Sequence, residues 1–177
     1  MIKKITITIL SLLIFVSTSV ANACDFKMGQ FGDPKEKIKL EALPLPMFLP
    51  DQFGGETALI PLHLVCKDVE DLFGTQIMLL YVDKKLMQIR LERPNYNDAK
   101  LMDLAMKKYG IFSLPAGVKK TDWRGIHQWE NSSEKIIYLY TDIHDGSLEV
   151  LELNSKSHEK DLVKYFGKIG KWLDSQK

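Results

Sequence analysis

The sequence predicts an α+β domain built on an antiparallel sheet. The first observation is a pair of stretches that echo each other, residues 76–91 and 135–153. Ile77, Leu80, Tyr81 and Asp83 in the first recur as Ile136, Leu139, Tyr140 and Asp142 in the second. The second observation is the alternating run that follows a short polar turn in each: Leu86, Ile89, Leu91, and then Leu148, Leu151, Leu153. Two runs of strand period around a turn read as a β-hairpin. The third observation is an amphipathic helical segment after each hairpin. With a strand ahead of each, the chain reads as a tandem βββα repeat over residues 57–110 and 126–174. Two such units side by side give one sheet with two helices on one face.

Residues 1–23 stand apart from that domain. Lys3 and Lys4 precede a 12-residue apolar run, Ile5 to Val16, and a small, polar stretch ends in Ala21-Asn22-Ala23. This is the pattern of a cleaved N-terminal signal peptide. Twelve helical residues reach only roughly 18 Å, short of a hydrocarbon core of about 30 Å. Export to the periplasm or the medium follows, with no transmembrane segment after signal removal. Without residues 1–23 the chain carries 22 basic and 23 acidic residues, a net charge of −1. That balance, with no basic block, argues against nucleic-acid binding.

The two cysteines are Cys24 and Cys66. In an oxidising compartment an even count favours a Cys24–Cys66 disulfide. The alternative is a lipid anchor, because Cys24 would be the first mature residue, where bacterial lipoproteins carry their acylated cysteine.

Residues 24–56 read as an extended, Pro-rich N-terminal segment. Residues 37–43 alternate charged and apolar side chains, as a half-buried edge strand does. Pro44, Pro46 and Pro50 then fix φ and remove donors. Met47 and Phe48 make this strap a candidate docking segment, with Phe48 expected to act through stability if the strap packs on the core. Residues 57–177 form the α+β domain. Residues 57–66 read as a strand broken towards an edge by Pro61. The first hairpin turns at residues 83–85 and stops at Pro94. Asn97 or Asp98 caps a helix running to about Tyr109, with Gly110 as its stop. Leu101, Leu104, Ala105 and Met106 form its apolar side. After a connection holding Pro115, Gly117 and Trp123, residues 126–130 form a strand that packs Trp129 inward. The second hairpin turns at His144-Asp145-Gly146. Ser157 caps a last helix whose face is Leu162, Phe166, Ile169 and Leu173. Gly167 and Gly170 either let that helix sit close to the sheet or break it near Phe166. Both sides of residues 77–82 are apolar, so that strand needs a cover on each face, supplied by the strap or by a partner.

No catalytic constellation stands out. His63 and Cys66, three apart on an extended stretch, point to opposite faces and cannot pair as base and thiolate. The chain has no nucleophile-elbow pattern, no phosphate loop and no metal-ligand spacing, so no cofactor and no metal are expected. The strongest interaction signal is residues 121–130, where Trp123 and Arg124 are of the types enriched at binding hot spots. The sequence therefore favours a non-enzymatic protein-binding or assembly module of the bacterial cell envelope, with an envelope protein as its partner. The alternatives are an envelope hydrolase with a site assembled only in three dimensions, and a small inhibitor or immunity-type protein.

Overall fold

The computed structural model describes residues 26–38, 47–66 and 70–177. The expected signal peptide, Cys24, the expected strand beyond Ile38 and the strap residues Pro44 and Pro46 lie outside the described residues. A 3-10 turn at Lys35–Lys37 stands where the edge strand was expected to begin. The elements that follow are β1 (Leu49–Pro50), β2 (Gly55–Pro61), α1 (Leu62–Val65), β3 (Gln76–Val82), β4 (Lys85–Pro94), α2 (Lys100–Tyr109), β5 (Gly125–Glu130), β6 (Glu134–Ile143), β7 (Gly146–Ser155) and α3 (Glu159–Asp174). The strands form one antiparallel sheet in the order β1-β2-β3-β4-β7-β6-β5. Both predicted hairpins lie in this sheet, joined along β4 and β7.

The turns follow from local chemistry. Asp83 and Lys84 both take left-handed backbone, φ 49° and 63°. That is the geometry of a two-residue type I′ hairpin, whose twist matches the strands it joins. Four residues later the ladder slips: Leu80 lies opposite Gln88, and Tyr81 opposite Leu86. Met87 is the extra residue of this bulge. It joins the cluster of Leu80 and Val82, while Leu86 stays with Tyr81 and Leu79. Residues 62–65 make a helical turn, so the strand read over 57–66 ends at Pro61. Proline supplies no donor to continue the ladder.

The two faces of the sheet are covered differently. On the first, Ile77, Leu79 and Tyr81 of β3 meet Leu91, Tyr138 and Leu151 of the neighbouring strands. α2 closes over them with Leu101, Met102, Ala105 and Met106, and Phe26 and Ile38 complete the cover. On the second, Leu80, Val82 and Met87 are covered by Leu162 and Tyr165 of α3, with Phe53 and Ile169 beside them.

The helices therefore lie on opposite faces, and the expected pair on one face is corrected. Three strands in succession followed by a helix occur only in the second half; in the first, α1 interrupts the strands between β2 and β3, and α2 and α3 are not equivalent, so the expected tandem repeat is not seen. The first face is already filled by α2 and the N-terminal segment, while the apolar alternate side of β3 still needs a cover. α3 supplies it in place of the strap. Phe48 packs instead on the first face, edge-on to Tyr81 at 5.5 Å, and Met47 is 74% exposed.

Candidate functional site

α3 is rolled relative to its predicted face. Leu162 and Tyr165 are buried, whereas Phe166 and Leu173 are 46% and 51% exposed. The cause is Tyr165, whose hydroxyl donates to the Asp51 carboxylate. Asp51 is itself fixed, accepting the backbone N–H of Phe53 at 2.7 Å and of Gly55 at 2.9 Å. Burial works against its charge, but these donors hold the Asp51 carboxyl below its ordinary value. The same burial, with Asp51 beside it, pushes the Tyr165 hydroxyl up. Leu162, Tyr165 and Ile169 thus become the inner face, and a second apolar stripe is left over. It runs Val163, Phe166, Gly167, Gly170 at i, i+3, i+4 and i+7. The helix does not break at its glycines, and a Cβ at either would meet nothing within 4 Å. They neither bring α3 close to the sheet nor end it.

This leftover stripe walls a groove of about 330 Å³ between α3 and the second face of β6 and β7. Alternation along β6 sends Ile136, Tyr138 and Tyr140 to the first face and Ile137 to the second. Ile137 and Glu152, opposite each other in the ladder, form the floor; Leu162, Val163 and Phe166 form the wall; Lys135, Asn154, Lys156 and Glu159 stand around it. A largely apolar recess with a few polar groups is the usual make-up of a binding cleft. The sequence carried the signal for it, a second helical stripe beside the expected one.

A larger cavity, about 660 Å³, lies between residues 27–33 and the ends of β6 and β7. Its polar groups are bonded to one another. Lys27 pairs with the buried Glu134, which also accepts from Asn131 at 3.3 Å. The hydroxyls of Ser155 and Ser157 both approach His158 Nδ1, at 2.9 and 3.0 Å. Hydroxyl and imidazole are the parts of a nucleophile and base. Here both hydroxyls converge on one ring nitrogen, and no carboxylate among the described residues bonds to His158. The arrangement ties the start of α3 to the sheet.

The sequence-predicted residues are held elsewhere. Trp123 stacks on Tyr138 at 5.9 Å and leans on Phe112 at 5.5 Å. Arg124 lies over the Tyr140 ring at 4.0 Å and donates from Nε to Asp142 at 2.6 Å. Its Nη1 reaches the carbonyls of Thr121 and Trp123 at 2.8 and 2.9 Å. Both side chains are thus committed to the first face and its edge. Trp129 packs as expected on that face and donates to the Gly110 carbonyl at 2.9 Å. His127 stacks against Phe112 at 4.1 Å, and burial lowers its pKa. Cys66 is buried, and its expected partner Cys24 lies outside the described residues.

The buried charges position α2. Glu149 of β7 accepts the backbone N–H of Met102 at 3.2 Å and of Leu101 at 3.5 Å, and the Tyr138 hydroxyl at 2.7 Å. Burial pushes the Glu149 carboxyl above its ordinary value, against these donors and the Arg93 guanidinium 3.7 Å away. Arg93 also donates from Nη2 to Asp98 at 2.8 Å. Two carboxylates cap this helix: Asp98, one of the two residues the sequence suggested, accepts the Lys100 N–H at 3.3 Å, and Glu149 of β7 takes those of Leu101 and Met102.

Among the described residues no group of three or more His, Cys, Asp and Glu could hold a metal, and no helix is long and apolar enough to cross a membrane. In comparisons with known proteins, no family model, no curated protein and no solved structure matches the chain.

Proposed function

We propose that this chain is an exported cell-envelope protein that binds another protein, and that the groove beside α3 is its docking surface. The observation that supports this is the leftover stripe. Val163 is 67% exposed and Phe166 46%, above a recess floored by Ile137. Apolar side chains gathered at one recess, where the same helix buries others well, fit an interaction site. Three variants test it, Val163→Asp, Phe166→Asp and the double. Each should keep the wild-type fold and unfolding midpoint and lose the partner captured from envelope extract by the wild-type chain. Normal capture by the folded double variant would refute the reading.

Export itself rests on the N-terminal pattern. Mass spectrometry of the periplasmic or secreted form should find Cys24 at or near the N-terminus, and an intact Met1 would contradict it. Non-reducing peptide mapping should link Cys24 to Cys66; a diacylglycerol mass on Cys24 would place the protein on a membrane surface instead. The hydrolase alternative has its own observation, the Ser155, Ser157 and His158 cluster at the polar cavity. A fluorophosphonate probe should leave both serines unlabelled if the chain is a binder, and stoichiometric labelling of either would favour the enzyme.

A further inference from the structure

The chemistry around the groove narrows what can fill it, on the premise that the groove is a docking surface. We infer that its occupant is an amphipathic α-helix of a partner protein, apolar towards the groove and acidic along its outer flank.

The sheet register sets the shape of the floor. Ile137 stands opposite Glu152, Glu152 opposite Arg90, Arg90 opposite Met78, and Met78 opposite Leu59. This row crosses the second face of five strands, next to the row of Leu80 and Gln88. It is apolar at both ends, and Leu59 is 52% exposed. A segment lying across a sheet face finds no free ladder groups beneath it, because those bonds run in the plane of the sheet. It must satisfy its own N–H and C=O groups, which a helix does and an extended peptide does not.

The wall favours a helix as well. Helices pack with axes about 8–10 Å apart, closer where side chains are small. Gly167 and Gly170 continue the Val163 and Phe166 stripe with open space where a Cβ would stand. A partner backbone can approach there without displacing anything of this chain.

Charge selects among occupants. Lys160, Lys164, Lys168 and Lys171 are exposed along the outer side of α3, adjoining the stripe. Among the described residues Lys160, Lys164 and Lys171 enter no ion pair, and Lys168 donates to the Phe53 carbonyl at 2.9 Å. A second copy packed α3 to α3 would bring these lysines face to face, which is unfavourable. A flat anionic bilayer would meet the lysines but could not reach Ile137, because the stripe turns sideways into a recess. A helix carrying Asp and Glu on the flank above its apolar side satisfies both requirements.

The test uses the purified chain and two synthetic peptides of about 18 residues, long enough to be helical. Both carry Leu at i, i+3, i+4 and i+7; one has Glu on the outer flank and the other Lys. Methyl NMR follows Ile137 and Val163. The Glu peptide should shift both signals, bind about tenfold or more tighter than the Lys peptide, and weaken as salt rises. Lys160→Glu, Lys164→Glu and Lys171→Glu combined should reverse that preference. Equal affinity for the two peptides overturns the inference, as does binding by neither at roughly millimolar concentration. Shifts confined to other residues, a dimer using the same methyls, or anionic vesicles broadening them more than either peptide overturn it too. If Phe166→Asp still abolishes partner capture, the docking surface stands and only the acidic helix falls.

Discussion

On the first face of the sheet, α2, the N-terminal segment and the connection before β5 bring Leu101, Phe26 and Trp123 down on the strands. On the second, α3 covers Leu80, Val82 and Met87 and leaves Val163 and Phe166 turned towards Ile137. Polar groups differ in the same sense. Glu149 and Arg93 are buried under the first face, at 0% and 3% exposure, each with bonded partners. On the second face the charged groups are only half-buried: Arg90 pairs with Glu92 at 2.9 Å, and Glu152 lies beside Ile137 in the groove. Inward polar groups here fix where an element sits. Outward apolar groups on a well-anchored helix have no such use within the chain, and that contrast points the functional reading to the second face.

The largest effect is expected at Glu149. Glu149→Ala removes the acceptor for Tyr138 and for two N–H groups of α2. It should cost roughly 3–5 kcal/mol in a denaturant melt, the range for deleting one member of a buried pair. A loss under about 1 kcal/mol would mean that the network does not hold α2 in place. Trp123→Ala comes next. Half-buried against Tyr138 and Phe112, it should cost about 2–3 kcal/mol, short of the roughly 3–5 kcal/mol of a fully buried tryptophan. The sequence pointed to Trp123 as a binding residue; unchanged stability with lost partner capture would restore that role.

His127 gives a smaller effect, read by pH. Its imidazole is stacked on Phe112, and burial holds its pKa below the ordinary 6.5. The unfolded chain therefore takes up this proton at higher pH than the folded one. The contribution of His127 to stability is full above about 6.5 and is lost as the pH falls through the folded value. An NMR titration should show the depressed midpoint, and Phe112→Ala should return it towards 6.5. A midpoint at or above the ordinary value would show that the aromatic edge of the first face is more open than its packing implies.

The hairpins were legible because strand period and turn chemistry are local. Asp83-Lys84 and His144-Asp145 sit at the turns, and Tyr81 and Tyr140 both point to the first face, as their echo suggested. The side taken by each helix was not legible, because it depends on residues far along the chain. α2 is fixed by Glu149, 47 positions beyond Met102. α3 is rolled by Asp51, 114 positions before Tyr165. Leu162, Phe166, Ile169 and Leu173 match helical spacing as well as Leu162, Tyr165 and Ile169 do, and only the Asp51 contact separates them. The groove was missed for that reason: a single-residue roll turned a predicted core phenylalanine into its wall. The Met87 bulge was hidden too, since β4 reads as continuous alternation only if one residue is skipped.

On the first face the side chains hold the fold together, whereas Phe166 on the second is proposed to serve a partner and not the core. Phe166→Ala tests this contrast most directly, melted in denaturant beside Trp123→Ala. The structure predicts a change within about 0.5 kcal/mol for Phe166→Ala, as for a surface position, against the loss of about 2–3 kcal/mol at Trp123. A loss at Phe166 equal to or greater than that at Trp123 would show that the groove wall belongs to the core, and would contradict the account.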